Sequence, residues 1–264
     1  MQIEKIIIEL TNSDRLPIDA LTAASAIRHV AVPVFLREIE RYLASDAGTR
    51  NRPTPLFFIF HLLGSWREKS AYRPLARLLR QPSEELEEIL GDAITVTSHR
   101  VMAAVFDRDP TPLYDIILDP AADEFVRSRM CEALAMVTLQ GELVRPEAGR
   151  FLREAFNVID PKCNTVWFGW LNAIAMLGLD EMKPLVRQAF DRNSVDGKLS
   201  TYRQFEDDFG RAIKASRETS SGETPKPRQF GEGRQQEINR PGSDFELFGD
   251  TIDELSKWHR FAAR

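Results

Sequence analysis

Apolar residues recur along this chain at intervals of three and four, the period of an α-helix. The one β-branched run, Ile6-Ile7-Ile8, has Glu and Lys around it at that same spacing. A longer period is laid over the short one. A unit that reads Pro, apolar, two variable residues and further apolar residues opens at Pro33, as Pro33-Val34-Phe35-Leu36-Arg37-Glu38-Ile39, and again at Pro74, Pro112 and Pro184. Between the last two, Arg150-Phe151-Leu152-Arg153-Glu154-Ala155-Phe156 fits the pattern with Arg in place of Pro. Successive openings lie 34 to 41 residues apart, the period of arrays built from helix pairs. Chance recurrence of Pro-Leu dipeptides is the alternative, and five loosely matching copies count against it.

Proline suits the first turn of a helix, where its missing N–H has no intrahelical acceptor to lose. Each copy is therefore read as the start of the second helix of a pair. The first helices are placed at 18–30, 55–66, 98–106, 124–140 and 166–177. A lone pair leaves an apolar face uncovered, so pairs stack. The predicted fold class is all-α: an α-solenoid of stacked antiparallel helix pairs, HEAT- or armadillo-like, with about five pairs. Gly64 and Gly178 each end an apolar run just before a short turn, which predicts left-handed C-terminal caps. Ser83 is expected to cap an acidic helix over 83–90, with Glu84 and Glu85 in its first turn.

The pattern changes near Arg217. Residues 1–216 are read as the helical-repeat domain and 217–243, rich in Gly, Pro, Ser and charge, as a polar linker. Residues 244–264 are read as an amphipathic docking segment, because Phe245, Leu247, Phe248, Ile252, Leu255, Trp258 and Phe261 need cover. Asp250 or Thr251 is placed to cap a short helix carrying Ile252, Leu255 and Trp258 on one face. The segment is expected to dock through Phe245, Phe248, Ile252, Leu255 and Trp258, in its own chain or, as a homodimer by tail exchange, in a neighbouring copy. A permanent cap is preferred to a displaceable autoinhibitor.

Composition narrows the function classes. With 43% hydrophobic and 28% charged residues among 264, a sizeable core is available. The formal net charge of −5 argues against broad nucleic-acid binding, which needs a basic face to displace counterions. Two cysteines, Cys131 and Cys163, set no disulfide framework and fit a reducing cytoplasm. The start Met1-Gln2-Ile3-Glu4-Lys5 lacks the basic region of a signal peptide, and no apolar run approaches the roughly 18 residues of a membrane span.

Catalytic chemistry finds little purchase. His29, His61, His99 and His259 stand at no metal-ligand spacing with Cys, carboxylate or one another, and are read as satisfied surface or groove residues. Gly231-Glu232-Gly233 has no strand before it and no helix after it, so it is no phosphate loop. Asp207-Asp208 and the Glu84, Glu85, Glu87 and Glu88 cluster read as solvated helix faces. No metal, cofactor or catalytic residue is expected. Trp167 and Trp170, three apart, read first as core. The sharper alternative is a partner groove that they line together with Arg77, Arg153 and Arg187, which occupy equivalent places in their repeats.

Two blocks carry a resemblance. His61-Leu62-Leu63-Gly64-Ser65-Trp66-Arg67-Glu68-Lys69-Ser70-Ala71-Tyr72, followed by Leu90-Gly91-Asp92, is one, and Ala121-Ala122-Asp123-Glu124-Phe125-Val126-Arg127-Ser128 is the other. Together they resemble a bacterial family catalogued as domain of unknown function 1186, over residues 18–209. The resemblance implies a helical-repeat fold without an assigned activity. Some members resemble this chain but end in a small Cys-rich metal-binding motif. The tail here has no cysteine, so no metal follows. The expected function is a non-catalytic interaction or scaffold module for an unidentified protein partner or for its own C-terminal segment. An enzyme with an unrecognised groove site and a nucleic-acid-binding helical repeat are the alternatives.

Overall fold

The computed structural model describes residues 1–45, 53–220, 245–258 and 261, and among them all regular structure is helical. Tertiary contacts divide the chain into two compact units. One is Met1–Asp107 together with Leu247–Arg264, and the other is Arg108–Glu246. The division falls inside the stretch 1–216 that composition treats as one domain. Most of the linker expected at 217–243, with its Gly231-Glu232-Gly233, lies outside the described residues, as does His259.

The first unit contains α1 (Ile3–Asn12), α2 (Ile18–Ala26), α3 (Arg28–Ala44), α4 (Leu56–Ser65), α5 (Tyr72–Leu78), α6 (Ser83–Leu90), α7 (Ala93–Val96) and α8 (Ser98–Ala104). It takes in α15 (Thr251–Leu255) from the C-terminal segment. α4 packs against α2, α3, α6 and α8, and α15 packs against α2 and α4. α4 reads Leu56-Phe57-Phe58-Ile59-Phe60-His61-Leu62-Leu63-Gly64-Ser65, and its first nine residues are all buried. A helix apolar all round belongs at the centre of its unit. α8 is buried along its whole length, Ser98, His99 and Arg100 included.

The second unit contains α9 (Thr111–Leu118), α10 (Glu124–Leu139), α11 (Arg145–Ala155), α12 (Asn164–Leu177), α13 (Lys183–Asp191) and α14 (Tyr202–Ser220). α10 is its centre and packs on α9, α11 and α12, while α12 also packs on α14. Asp123 caps α10 by accepting from the N–H groups of Phe125 and Val126.

Several boundaries differ from expectation. Pro33 does not open a helix. It lies inside α3, and the chain turns 112° between α2 and α3, around Ile27, well before the proline. The bond that Pro33 cannot make would reach the carbonyl of His29 in the first turn of α3, so only one ladder bond is forgone. The copy assigned to Arg150 opens at Arg145, with Pro146 in the first turn. There the proline rule holds, and the helix opens before the position that the repeat register predicts. Ser83 is already helical and its side chain makes no capping bond, so Pro82 stands at the cap position. α14 runs on to Ser220, past the expected end of the repeat domain at 216.

Gly178 is the left-handed cap of α12, at φ 59° and ψ 45°. Gly64 is not a cap. It lies inside α4, and the residue that closes this helix is Arg67 at φ 52°, with Glu68 N–H reaching back to Leu63 O at 3.0 Å. Gly64 is small for packing, since a Cβ there would stand 2.9 Å from the methyls of Val101. Gly178→Ala is expected to cost about 1 kcal/mol, the usual penalty for a side chain in the left-handed region. An added methyl would also press on Ile213 Cδ1, at 2.7 Å, the movable end of its side chain. Chemical denaturation checks this, and an unchanged midpoint would contradict it.

No single helix among the described residues is long and apolar enough to cross a membrane.

Candidate functional site

The C-terminal segment sits on the first unit, in a seat made by α2, α4 and α8. Asp250 starts α15 by accepting from the N–H groups of Ile252 and Asp253, so the segment carries its own cap. The face it presents is Thr251, Glu254, Leu255 and Trp258, all buried. This face is shifted from the expected one: Ile252 is only half-buried, and a carboxylate stands inside the apolar stripe. Phe248 is buried and Phe245 is half-buried.

Aromatic rings line the seat. The Phe248 ring lies 5.1 Å from His61, and Trp258 stands edge-on to both Phe57 at 5.9 Å and His61 at 5.8 Å. Phe261 lies 5.9 Å from Phe57 and 5.8 Å from Phe58. Edge-on and tilted rings at such separations are favourable arrangements of aromatic quadrupoles.

At the centre of the apolar contact lies an ion pair. Arg100 is 3% exposed and Glu254 7%. Arg100 Nη1 donates to Glu254 Oε2 at 3.0 Å and Nη2 to Oε1 at 2.6 Å. Nη2 also reaches the carbonyl of Leu247 at 3.4 Å, and the guanidinium lies 5.7 Å from the Phe248 ring centre. Glu254 Oε1 accepts in addition from Gly249 N–H at 3.1 Å. Two bonds to backbone carbonyls complete the seat: Phe248 N–H donates to Arg100 O at 3.4 Å, and the Thr251 hydroxyl to His61 O at 3.3 Å. Such forked pairs constrain direction as well as charge.

His61 forms the floor and is fully buried. Its Nδ1 lies 2.7 Å from Phe57 O and its Nε2 2.9 Å from Thr97 Oγ1. A carbonyl only accepts, so Nδ1 carries the proton and the Thr97 hydroxyl donates to Nε2. Burial lowers its pKa from 6.5 to about 4. The bond to Phe57 O and the charge of Glu254 oppose that fall, while Arg100 adds to it. The unfolded chain therefore takes up this proton near pH 6.5 and the folded chain only near pH 4, so stability is lost as pH falls through that window. Between pH 7 and pH 5 the expected loss is about 2 kcal/mol. His61→Gln should be less stable at pH 7 but should lack this slope, as followed by denaturant midpoints. An equal slope in both proteins would refute the assignment.

The remaining candidate residues are dispersed. Trp167 and Trp170 are not groove anchors. Both are 0% exposed, and their indole N–H groups donate to Asp160 O at 2.9 Å and Leu152 O at 2.7 Å. Two large apolar rings on one face of α12 bury against Phe156 and remove that face from any partner. Arg77 is exposed in the first unit and paired with Glu40. Arg153 and Arg187 are exposed in the second unit, with Arg187 over the Tyr202 ring at 4.7 Å. Asp207 is solvated, but Asp208 is largely buried and bonded to Arg211. His29 is exposed, whereas His61 and His99 are buried, neither of them a surface histidine.

Both thiols are free, and burial raises the pKa of each, which weakens them as nucleophiles. Glu132, a buried carboxylate of the second unit, accepts from Asn172 at 2.8 Å and pairs with Arg129 at 2.5 Å. Among the described residues no group of three or more His, Cys, Asp or Glu is arranged to hold a metal ion.

A family model described as Protein of unknown function (DUF1186) matches residues 1–220. An uncharacterized protein of Chlamydia trachomatis is 24% identical over 200 residues, covering 74% of this chain and 79% of that protein. An uncharacterized protein of Chlamydia muridarum is 23% identical over 200 residues, covering 74% and 80%. No solved structure matches.

Proposed function

The chain belongs to the DUF1186 family, and from that premise we propose that it is a non-catalytic protein-interaction module built of stacked helix pairs. The observation that carries the proposal is the seat itself, where a short segment is held in a helical groove by apolar anchors and a forked Arg100–Glu254 pair. Helical grooves take short helical segments through anchors at helical spacing. Thr251, Glu254, Leu255 and Trp258 follow that spacing. The solenoid reading draws support from the second unit, where α10, α12 and α14 pack in succession, as same-layer helices of a repeat do. The working compartment we propose is the cytoplasm, where the two free thiols stay reduced.

The test is capture on the immobilised full chain from native lysate, followed by calorimetry of the leading partner with purified components. A saturable stoichiometric complex is the expected result. A chain that binds no protein but consumes a compound from a metabolite extract would overturn the proposal.

A further inference from the structure

The C-terminal segment is a self-contained ligand. Its capping bonds are internal to Asp250–Asp253, and its backbone ties to the seat start at Leu247 and Phe248. It meets Arg100 across 154 positions of sequence. α15 has five residues, too few to persist as a free helix. One group in it is poorly served: Trp258 is 8% exposed, and its indole N–H is buried without an acceptor. The pair that holds it is an immersed one, and immersed pairs give direction and selectivity more than affinity, because both ions are stripped of water. Tethering compensates, since it supplies an effective concentration of about millimolar. Charge is complementary at one point, where Glu254 meets Arg100, in a segment that is acidic throughout, with exposed Glu246, Asp250 and Asp253 against one Lys257.

We propose that the seat of α2, α4 and α8 is a recognition site for an acidic segment of another protein, with the chain's own C-terminal segment as resident competitor. That partner segment contains a short helical turn, with a glutamate for Arg100 and aromatic residues six positions before it and four after it. The spacing is that of Phe248, Glu254 and Trp258. This inference rests on the interaction-module proposal and names the partner chemistry of its groove. Arg100 selects the glutamate, because a guanidinium buried opposite a neutral side chain has lost its water without regaining a counter-charge. The aromatic anchors fill the surface formed by Phe57, Phe58 and His61.

The probe is a fluorescein-labelled synthetic peptide copying residues 245–258, with a second peptide carrying Gln at the position of Glu254. The proteins are the full-length chain and its Glu254→Gln variant, in which the resident is weakened. The glutamate peptide is expected to bind the variant at least tenfold more tightly than it binds wild type. The glutamine peptide should bind the variant at least tenfold more weakly than the glutamate peptide does. Equal binding of both peptides, or no binding to a variant that still melts cooperatively, overturns the proposal.

If Glu254→Gln does not fold, wild type labelled with 5-fluorotryptophan decides. The Trp258 resonance, assigned with Trp258→Phe, should move to its solvent-exposed position as unlabelled peptide is raised to several millimolar, while Trp167 and Trp170 stay in place. A fixed Trp258 resonance overturns the proposal. A concentration-dependent dimer that the peptide dissolves assigns the seat to a second copy and overturns it as well. If these experiments fail while lysate capture yields a complex, the module survives with its partner elsewhere. A failed capture removes the module itself.

Discussion

Arg100→Met should remove about 3–5 kcal/mol from the stability of the first unit, because it strands the Glu254 carboxylate inside an apolar contact. The carboxylate accepts from both Nη atoms of Arg100 and from Gly249 N–H, and only the last would remain. Its return to water is blocked unless the segment lifts from α4, which exposes the rings of Phe57 and Phe58. Either outcome is costly. The paired change Arg100→Met with Glu254→Met should recover most of the loss, since a matched apolar pair leaves no uncompensated ion. With two units present, a global melting curve is a poor reporter. Hydrogen exchange of the α4 and α8 amides reads the first unit directly. A single-variant loss below about 1 kcal/mol, within the range of exposed ion pairs, would mean that the pair is solvated in practice.

Gly169→Ala is expected to destabilise the second unit by about 3 kcal/mol or more, although alanine is the better helix former. A Cβ at Gly169 would lie 2.6 Å from both Cα and Oγ of Ser128, and closer still to the Ser128 carbonyl oxygen. These are mostly backbone atoms of α10, so no side chain can swing aside, and α10 and α12 must separate. That contact is the centre of the unit, and Trp167 and Trp170 flank the glycine in sequence. Spreading the helices therefore loosens both indoles. Tryptophan fluorescence during denaturation reads the effect. Stability equal to or above wild type would show that the helices have room to give.

The helical layer was legible because apolar spacing is a local property. The first helices of the pairs, placed at 55–66, 124–140 and 166–177, correspond to α4, α10 and α12. Helix openings were less legible. Proline is tolerated anywhere in the first turns, so Pro33 inside α3 and Pro146 at the start of α11 look alike in sequence. Gly64 and Gly178 also look alike, each closing an apolar run. What separates them is which residue turns left-handed, Gly178 itself at φ 59° in one case and Arg67 at φ 52°, three positions past Gly64, in the other, and an apolar run does not encode that choice.

The seat was half legible. Phe248, Leu255 and Trp258 announce themselves as apolar residues in need of cover. Arg100 and Glu254 are not marked by any motif, yet the sequence holds a trace of them. Arg100 is the lone charge before the run Val101-Met102-Ala103-Ala104-Val105-Phe106, and His61 is the lone polar residue in the stretch Leu56–Gly64. A single charge in such a run needs a buried partner. Among 40 acidic residues, local pattern has no means of choosing Glu254, because the choice is made by a contact across 154 positions.

That long return has a consequence for synthesis. The first unit is discontinuous: it opens with the first 107 residues and closes only with Leu247 and beyond. On the ribosome, residues 108–246 emerge in between, which at ~5–20 residues per second takes roughly 7–28 s. For that interval the aromatic surface of α4 has no lid and Arg100 has no counter-ion. Nascent chains stalled before Leu247 are thus the species with the strongest claim on chaperones, and they should be cut by protease within α4 where released chains resist. A nonsense mutation far downstream would injure the part of the protein that was made first.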